Sequence, residues 1–166
     1  MPELASTIRT YLAAHQGEQQ AFLAELVKVP SDNPPGDCAP HAQRAALLLE
    51  AMGLTVERHA VPAADVTANG MISCTNLVVR ARFGTGRGPV IALNAHGDVV
   101  PPGLNWTADP YGAEVRDGFM YGRGVAVSKS DFATYTFALR ALQDAVTRGA
   151  RLDGGIGGAA KGDEDG

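Results

Sequence analysis

Leu4, Ile8, Tyr11 and Leu12 recur at spacings of three and four, the period of one helix face. Phe22, Leu23, Leu26 and Val27 resume that period beyond Gly17. The pattern predicts two short helices, or one helix kinked at Gly17, ended by Pro30. Residues 31–37, Ser-Asp-Asn-Pro-Pro-Gly-Asp, are a loop by composition. Ala42, Ala45, Leu48, Leu49 and Met52 predict another amphipathic helix, stopped by Gly53. Residues 54–58 alternate and predict a strand, 62–70 a loop, and 76–83 a second strand rich in β-branched residues. The glycines at 84, 86 and 88 resemble a phosphate-binding loop in composition, but a strand pattern follows them rather than a helix, so they predict a hairpin turn. Residues 111–116 and 119–121 form a hairpin pattern about Asp117-Gly118. The clearest helix runs from Ser128 to Val146, with Phe132, Tyr135, Leu139, Leu142 and Val146 on one face. Ser128 and Asp131, three apart, form a variant capping box at its start.

The organising stretch lies between these elements. Val90 to Ala95 is a mostly apolar run bounded by turn signals, which predicts a strand buried on both faces. It ends abruptly in His96 and Asp98. In open α/β sheets, ligands bind just outside the carboxyl ends of strands. In extended chain, residues two apart project to the same side. A neutral imidazole with a carboxylate to orient it suits a zinc ion. The same pair also suits a simple hydrogen bond at a strand end.

Composition narrows the function classes. The 166 residues carry 14 basic and 18 acidic side chains, a net charge of -4, with no basic block, which argues against nucleic acid as a partner. Hydrophobic residues make up 45% of the chain, yet no apolar run nears the roughly 20 residues of a membrane span. The N-terminus shows no secretory pattern, and Cys38 and Cys74 are isolated, as expected of buried or free thiols. These features are those of a cytoplasmic protein. Strand and helix patterns alternate without an internal repeat or linker, which predicts an α/β fold with a mixed sheet flanked by helices.

Several separate motifs share one order and spacing: Asn94-Ala95-His96-Gly97-Asp98-Val99-Val100-Pro101, then Trp106-Thr107, Asp109-Pro110-Tyr111, Asp117-Gly118 and Tyr121-Gly122-Arg123-Gly124. Together they resemble the zinc hydrolases that include aminoacylase, acetylornithine deacetylase, succinyl-diaminopimelate desuccinylase and glutamate carboxypeptidase. The resemblance runs from about residue 18 to 146. It implies a phosphorylase/hydrolase-like zinc-peptidase catalytic domain, incomplete here, with residues 1–152 as its N-terminal part. It further implies cleavage of an amide or peptide bond in a small N-acyl amino acid or peptide by metal-activated water. One or two zinc ions are implied, with cobalt as a substitute, and a homodimer for the full-length form. By that match His96 is a metal ligand and Asp98 the aspartate that orients it.

The chain also departs from that family. The bridging aspartate is expected three residues after Gly124, and Val127 stands there, while Lys129 keeps the family's register. Valine cannot ligate a metal. Asp131, one turn further on, is the nearest replacement. The departure leaves open a single-metal enzyme, a different chemistry on the same scaffold, or a non-catalytic homologue. Residues 163–166, Asp-Glu-Asp-Gly, resemble the family's acidic motif, which makes Glu164 the general base and Asp165 a metal ligand. The same residues also suit a solvated acidic terminus. Residues 153–166 are Gly-rich, with no apolar run, and predict an unordered end. Gly155 to Ala160 formally fits a dinucleotide fingerprint, but no strand precedes it and no helix follows in the predicted elements.

Overall fold

The computed structural model describes residues 2–161. The first apolar stripes form α1 (Pro2–Ala14) and α2 (Gln16–Val27), which break at His15 rather than at Gly17. Helix α3 (Ala39–Ala51) follows the loop, and Gly53 takes the left-handed conformation (φ 80°) just beyond it. Strand β1 (Val56–Ala60) comes next. A single short helix, α4 (Ala63–Ala68), stands where loop composition predicts none. Strands β2 (Thr75–Phe83) and β3 (Val90–His96) precede a small hairpin, β4 (Glu114–Arg116) with β5 (Phe119–Tyr121). Asp117 and Gly118 both have positive φ, 51° and 81°, the conformation a two-residue hairpin turn requires. Helix α5 (Lys129–Thr147) leads into β6 (Gly154–Lys161).

The main sheet has the order β1-β2-β6-β3. β2 is antiparallel to β1 and to β6, while β3 runs parallel to β6. The mixed α/β sandwich expected from the alternation of elements is present. Two expectations fail here for one reason. Composition predicts an unordered end from residue 153, yet residues 154–161 form a strand between β2 and β3. Composition also predicts a hairpin at 84–88, yet β2 and β3 are not neighbours, because β6 lies between them. Glycine has little strand preference of its own. Pairing on both sides supplies backbone hydrogen bonds that outweigh that deficit.

One sheet face holds the core. Leu77, Val79, Ala81 and Phe83 alternate along β2 and pack with Phe22 and Leu26 of α2, Ala45 and Leu49 of α3, and Phe132 and Phe137 of α5. Arg80 and Arg82, on the opposite face, are exposed. The apolar run of β3 is not buried on both faces as predicted: Val90 is 70% exposed and Ile91 58%, while Ala95, near the strand's end, is buried. Among the described residues β3 is an edge strand, paired with β6 on one side and with no strand on the other. Cys38 and Cys74 are buried in a satellite cluster with Val66 and Met71. Burial pushes the Cys38 thiol up to about 12, aided by the nearby Asp98 charge.

Candidate active site

The carboxyl end of β3 delivers His96, and the chain turns immediately through Gly97. A Cβ on Gly97 would lie 2.7 Å from Nδ1 of His41, so glycine lets β3 approach α3 closely. The loop before α3 is stitched to the segment after His96. The Asn33 N–H donates to the Val99 carbonyl (2.8 Å), the Val99 N–H to the Ser31 carbonyl (3.0 Å), and the Ser31 hydroxyl to the Gly97 carbonyl (2.6 Å). This lacing fixes where Asp98 projects.

His96 and Asp98 meet as the two-residue spacing predicts. Nδ1 of His96 lies 2.9 Å from Oδ1 of Asp98. The other carboxylate oxygen, Oδ2, accepts a hydrogen bond from Nδ2 of Asn33 (3.3 Å). A carboxylate facing Nδ1 takes the hydrogen of that nitrogen, which makes Nε2 the lone-pair nitrogen of the neutral ring. That arrangement is what a metal-ligating histidine needs. Nothing in the sequence pattern pairs Asn33 with Asp98, because the contact joins residues 65 apart in the chain.

The N-terminus of α5 forms the opposite wall. Ser128 precedes the helix with φ 71° and ψ -76°. The Lys129 N–H donates to the Val127 carbonyl at 3.0 Å, closing a three-residue γ-turn of the strained hand around Ser128. The expected capping box is not formed, since the Ser128 side chain makes no capping bond. Its Oγ instead stands 2.7 Å from Nε2 of His96 and 3.0 Å from Nδ1. Val127 is 67% exposed, so the turn presents an apolar side chain to solvent where the resembled family has a carboxylate. The Asp131 N–H bonds the Ser128 carbonyl (2.9 Å), which places Asp131 in the first turn of α5.

Lys129 is fully buried, and its Nζ donates to the carbonyls of Leu26 (3.1 Å) and Val29 (2.8 Å) at the end of α2. Desolvation pulls its ammonium down to about 8, against a smaller opposing pull from Asp32. Asp32 in turn accepts the Tyr111 hydroxyl, whose pKa rises through burial and this contact. Lys129 therefore ties α2 to the turn that carries Ser128. Glu164 and Asp165 lie outside the described residues. Among the described residues no group of three or more His, Cys, Asp or Glu side chains is placed to hold a metal ion. The donor set fits a metal ion in one respect, an imidazole with its tautomer fixed. It does not fit a carboxylate bridge between two ions at position 127.

Comparison with known proteins agrees with the motifs. Residues 92–166 match the model of Peptidase family M20/M25/M40. Succinyl-diaminopimelate desuccinylase from Methylorubrum populi is 41% identical over 88 residues, which are 52% of this chain and 22% of that protein. The Anaplasma marginale desuccinylase is 39% identical over 74 residues, 45% of this chain and 19% of that protein. Among solved structures, the dipeptidase Dug1p from Saccharomyces cerevisiae superposes with a TM-score of 0.73 at 16% identity, over 95% of this chain and 34% of that one. The M20 family metallo-carboxypeptidase Sso-CP2 from Sulfolobus solfataricus gives 0.71 at 19% identity, over 89% and 31%. The fold is thus shared with catalytic domains of M20 peptidases. The matched region spans 22% of the first of these desuccinylases and 34% of the first of these solved chains.

Proposed function

We propose that this chain, whose residues 92–166 carry the Peptidase family M20/M25/M40 pattern, is part of a metal-dependent hydrolase acting on an amide or peptide bond of a small N-acyl amino acid or peptide. The observation that carries the reading is the oriented imidazole at the carboxyl end of β3, with Nδ1 of His96 2.9 Å from Asp98. His96 would hold the ion through Nε2. A zinc ion, or cobalt in its place, supplies Lewis acidity and lowers the pKa of a bound water. Asp98 keeps the imidazole in one tautomer and one orientation, and Asn33 keeps Asp98 from rotating away. In this reading Glu164 handles the water's proton and Asp165 is a second ligand; both roles rest on the resemblance of residues 163–166 to the family's acidic motif. Val127 favours one tightly held ion over two. We also place the protein in the cytoplasm, as its composition suggests; no helix among the described residues is long and apolar enough to cross a membrane.

A second reading is a non-catalytic relative that keeps the fold, and the exposed Val127 in the bridging position favours it. The two separate in one assay. The purified protein is supplied with zinc or cobalt and offered N-succinyl and N-acyl amino acids and dipeptides. Turnover that disappears on chelation and returns with metal supports the hydrolase. Bound metal without turnover on any of these substrates supports the non-catalytic relative.

A further inference from the structure

Tyr111 lies on the loop between β3 and β4, yet a continuous run of contacts joins it to His96. Its hydroxyl donates to Oδ2 of Asp32. Asp32 is bridged to Val99 as a parallel pair, and the next residue, Asn33, donates its N–H to the Val99 carbonyl (2.8 Å). Nδ2 of Asn33 then reaches Oδ2 of Asp98 (3.3 Å), and Oδ1 of Asp98 faces Nδ1 of His96 (2.9 Å).

The tyrosine end of this run is firmly held. The Tyr111 N–H donates to Oδ1 of Asp109 (2.9 Å), the Gly112 N–H to the Asp109 carbonyl (3.0 Å), and the Arg123 N–H to the Pro110 carbonyl (2.7 Å). The Asp32 side chain depends on it. Its Oδ1 is buried with no hydrogen-bond partner, so among the described residues the Tyr111 hydroxyl is the one donor its carboxylate receives. A buried carboxylate stripped of its donor turns toward water, because an ionised oxygen left unpaired is costly. Asn33 is one peptide away and moves with it. The 3.3 Å contact of Asn33 with Asp98 is already long, so a shift of a few tenths of an ångström breaks it.

We propose that Tyr111 is a positioning residue for His96: through Asp32 and Asn33 it holds the Asp98 carboxylate against Nδ1, and so keeps the imidazole lone pair on Nε2. The inference rests on the reading of His96 as an oriented metal ligand, and it extends that site to a residue on a separate loop. No proton moves along the run; the tyrosine acts through the place it gives the loop.

The test reads the His96 tautomer in the metal-free protein, by two-bond proton–nitrogen correlation NMR of the imidazole rings on the alkaline side of the ring's own titration. Wild type is compared with Tyr111→Phe, Asp32→Ala and Asn33→Ala, and the His96 signals are assigned by their loss in His96→Gln. Tyr111→Phe removes one oxygen and keeps the ring. Asp32→Ala removes the acceptor instead, so the two variants break the same contact from opposite sides. Circular dichroism and melting temperature are recorded for each. Wild type is expected to carry the hydrogen on Nδ1. The ratio of Nδ1–H to Nε2–H is expected to fall roughly 3- to 10-fold in all three variants, the weight of one hydrogen bond. A merely structural tyrosine lowers the melting temperature and leaves the tautomer alone. An unchanged tautomer in Tyr111→Phe and Asp32→Ala therefore overturns the positioning role and leaves the proposed function standing. Hydrogen on Nε2 in the wild type overturns the oriented imidazole on which the proposed function rests, and the role of Tyr111 with it. A shifted tautomer in the variants, with no Co²⁺ bound by the wild type in titration calorimetry, upholds the positioning role and overturns the metal-dependent function.

Discussion

Replacing Lys129 with methionine isolates the energetic burden carried by the turn beside His96. The ammonium is fully buried, donates to the carbonyls of Leu26 in α2 and of Val29 just beyond it, and is drawn down from 10.5 to about 8, chiefly by desolvation. Between those values the unfolded chain binds a proton that the folded protein has released, so this group makes stability rise with pH across the window. Below about 8 both states are protonated and the burial cost is fully present. At roughly 1.4 kcal/mol for each unit, the full cost is about 3 kcal/mol, and about 2.5 kcal/mol of it is recovered between about pH 7 and about pH 10. Methionine has comparable length and no titration. At neutral pH its relief of the burial cost opposes the loss of two hydrogen bonds, so the slope rather than the offset is diagnostic. Urea unfolding of both proteins at a series of pH values gives that slope as a difference, in which groups common to both cancel. Wild type is expected to gain on Lys129→Met by about 2.5 kcal/mol over that range. A difference that stays flat within about 0.5 kcal/mol refutes the burial of a charged Lys129.

Two further substitutions probe the frame around the site. His41 is 2% exposed, its Nε2 has no hydrogen-bond partner among the described residues, and desolvation, with Lys129 nearby, pulls it from 6.5 down to about 3. Its folded pKa is depressed, so the unfolded chain takes up the proton first, and stability is lost as pH falls below about 6.5. His41→Leu is expected to flatten that acid limb and to stabilise by about 1 kcal/mol at neutral pH, read by denaturant unfolding. Gly157 sits mid-strand in β6 with open space where a Cβ would go. Gly157→Ala is expected to raise stability by about 0.5–1 kcal/mol, and a loss would show that the strand needs the glycine.

Elements with a strong period were legible from sequence, and those shaped by tertiary contact were not. The stripe Phe132, Tyr135, Leu139, Leu142, Val146 locates α5 to within a residue or two, because one helix face meets the core along its whole length. Strand β6 has no such signal. Its glycines carry no side-chain pattern, and its place is set by pairing with β2 and β3 from both sides. The exposure of Val90 and Ile91 was illegible for a related reason, since an apolar run does not say whether a neighbour strand is present. At the site, His96 with Asp98 could be read because two-residue spacing fixes a shared side. Asn33 could not, being brought to Asp98 by long-range loop pairing. Ser128 was legible as a helix start but not in its contact with His96. The positive φ that turns its hydroxyl toward His96 comes from the packing of Lys129 beneath α2.

The proposed function requires His96 as the ligand around which the site is arranged. Metal content by elemental analysis, after loading with zinc and dialysis, compares wild type with His96→Ala directly. Retained zinc in wild type and its loss in His96→Ala are expected, with both proteins showing the same circular dichroism. Equal zinc in the two folded proteins would contradict the account and remove His96 from the site.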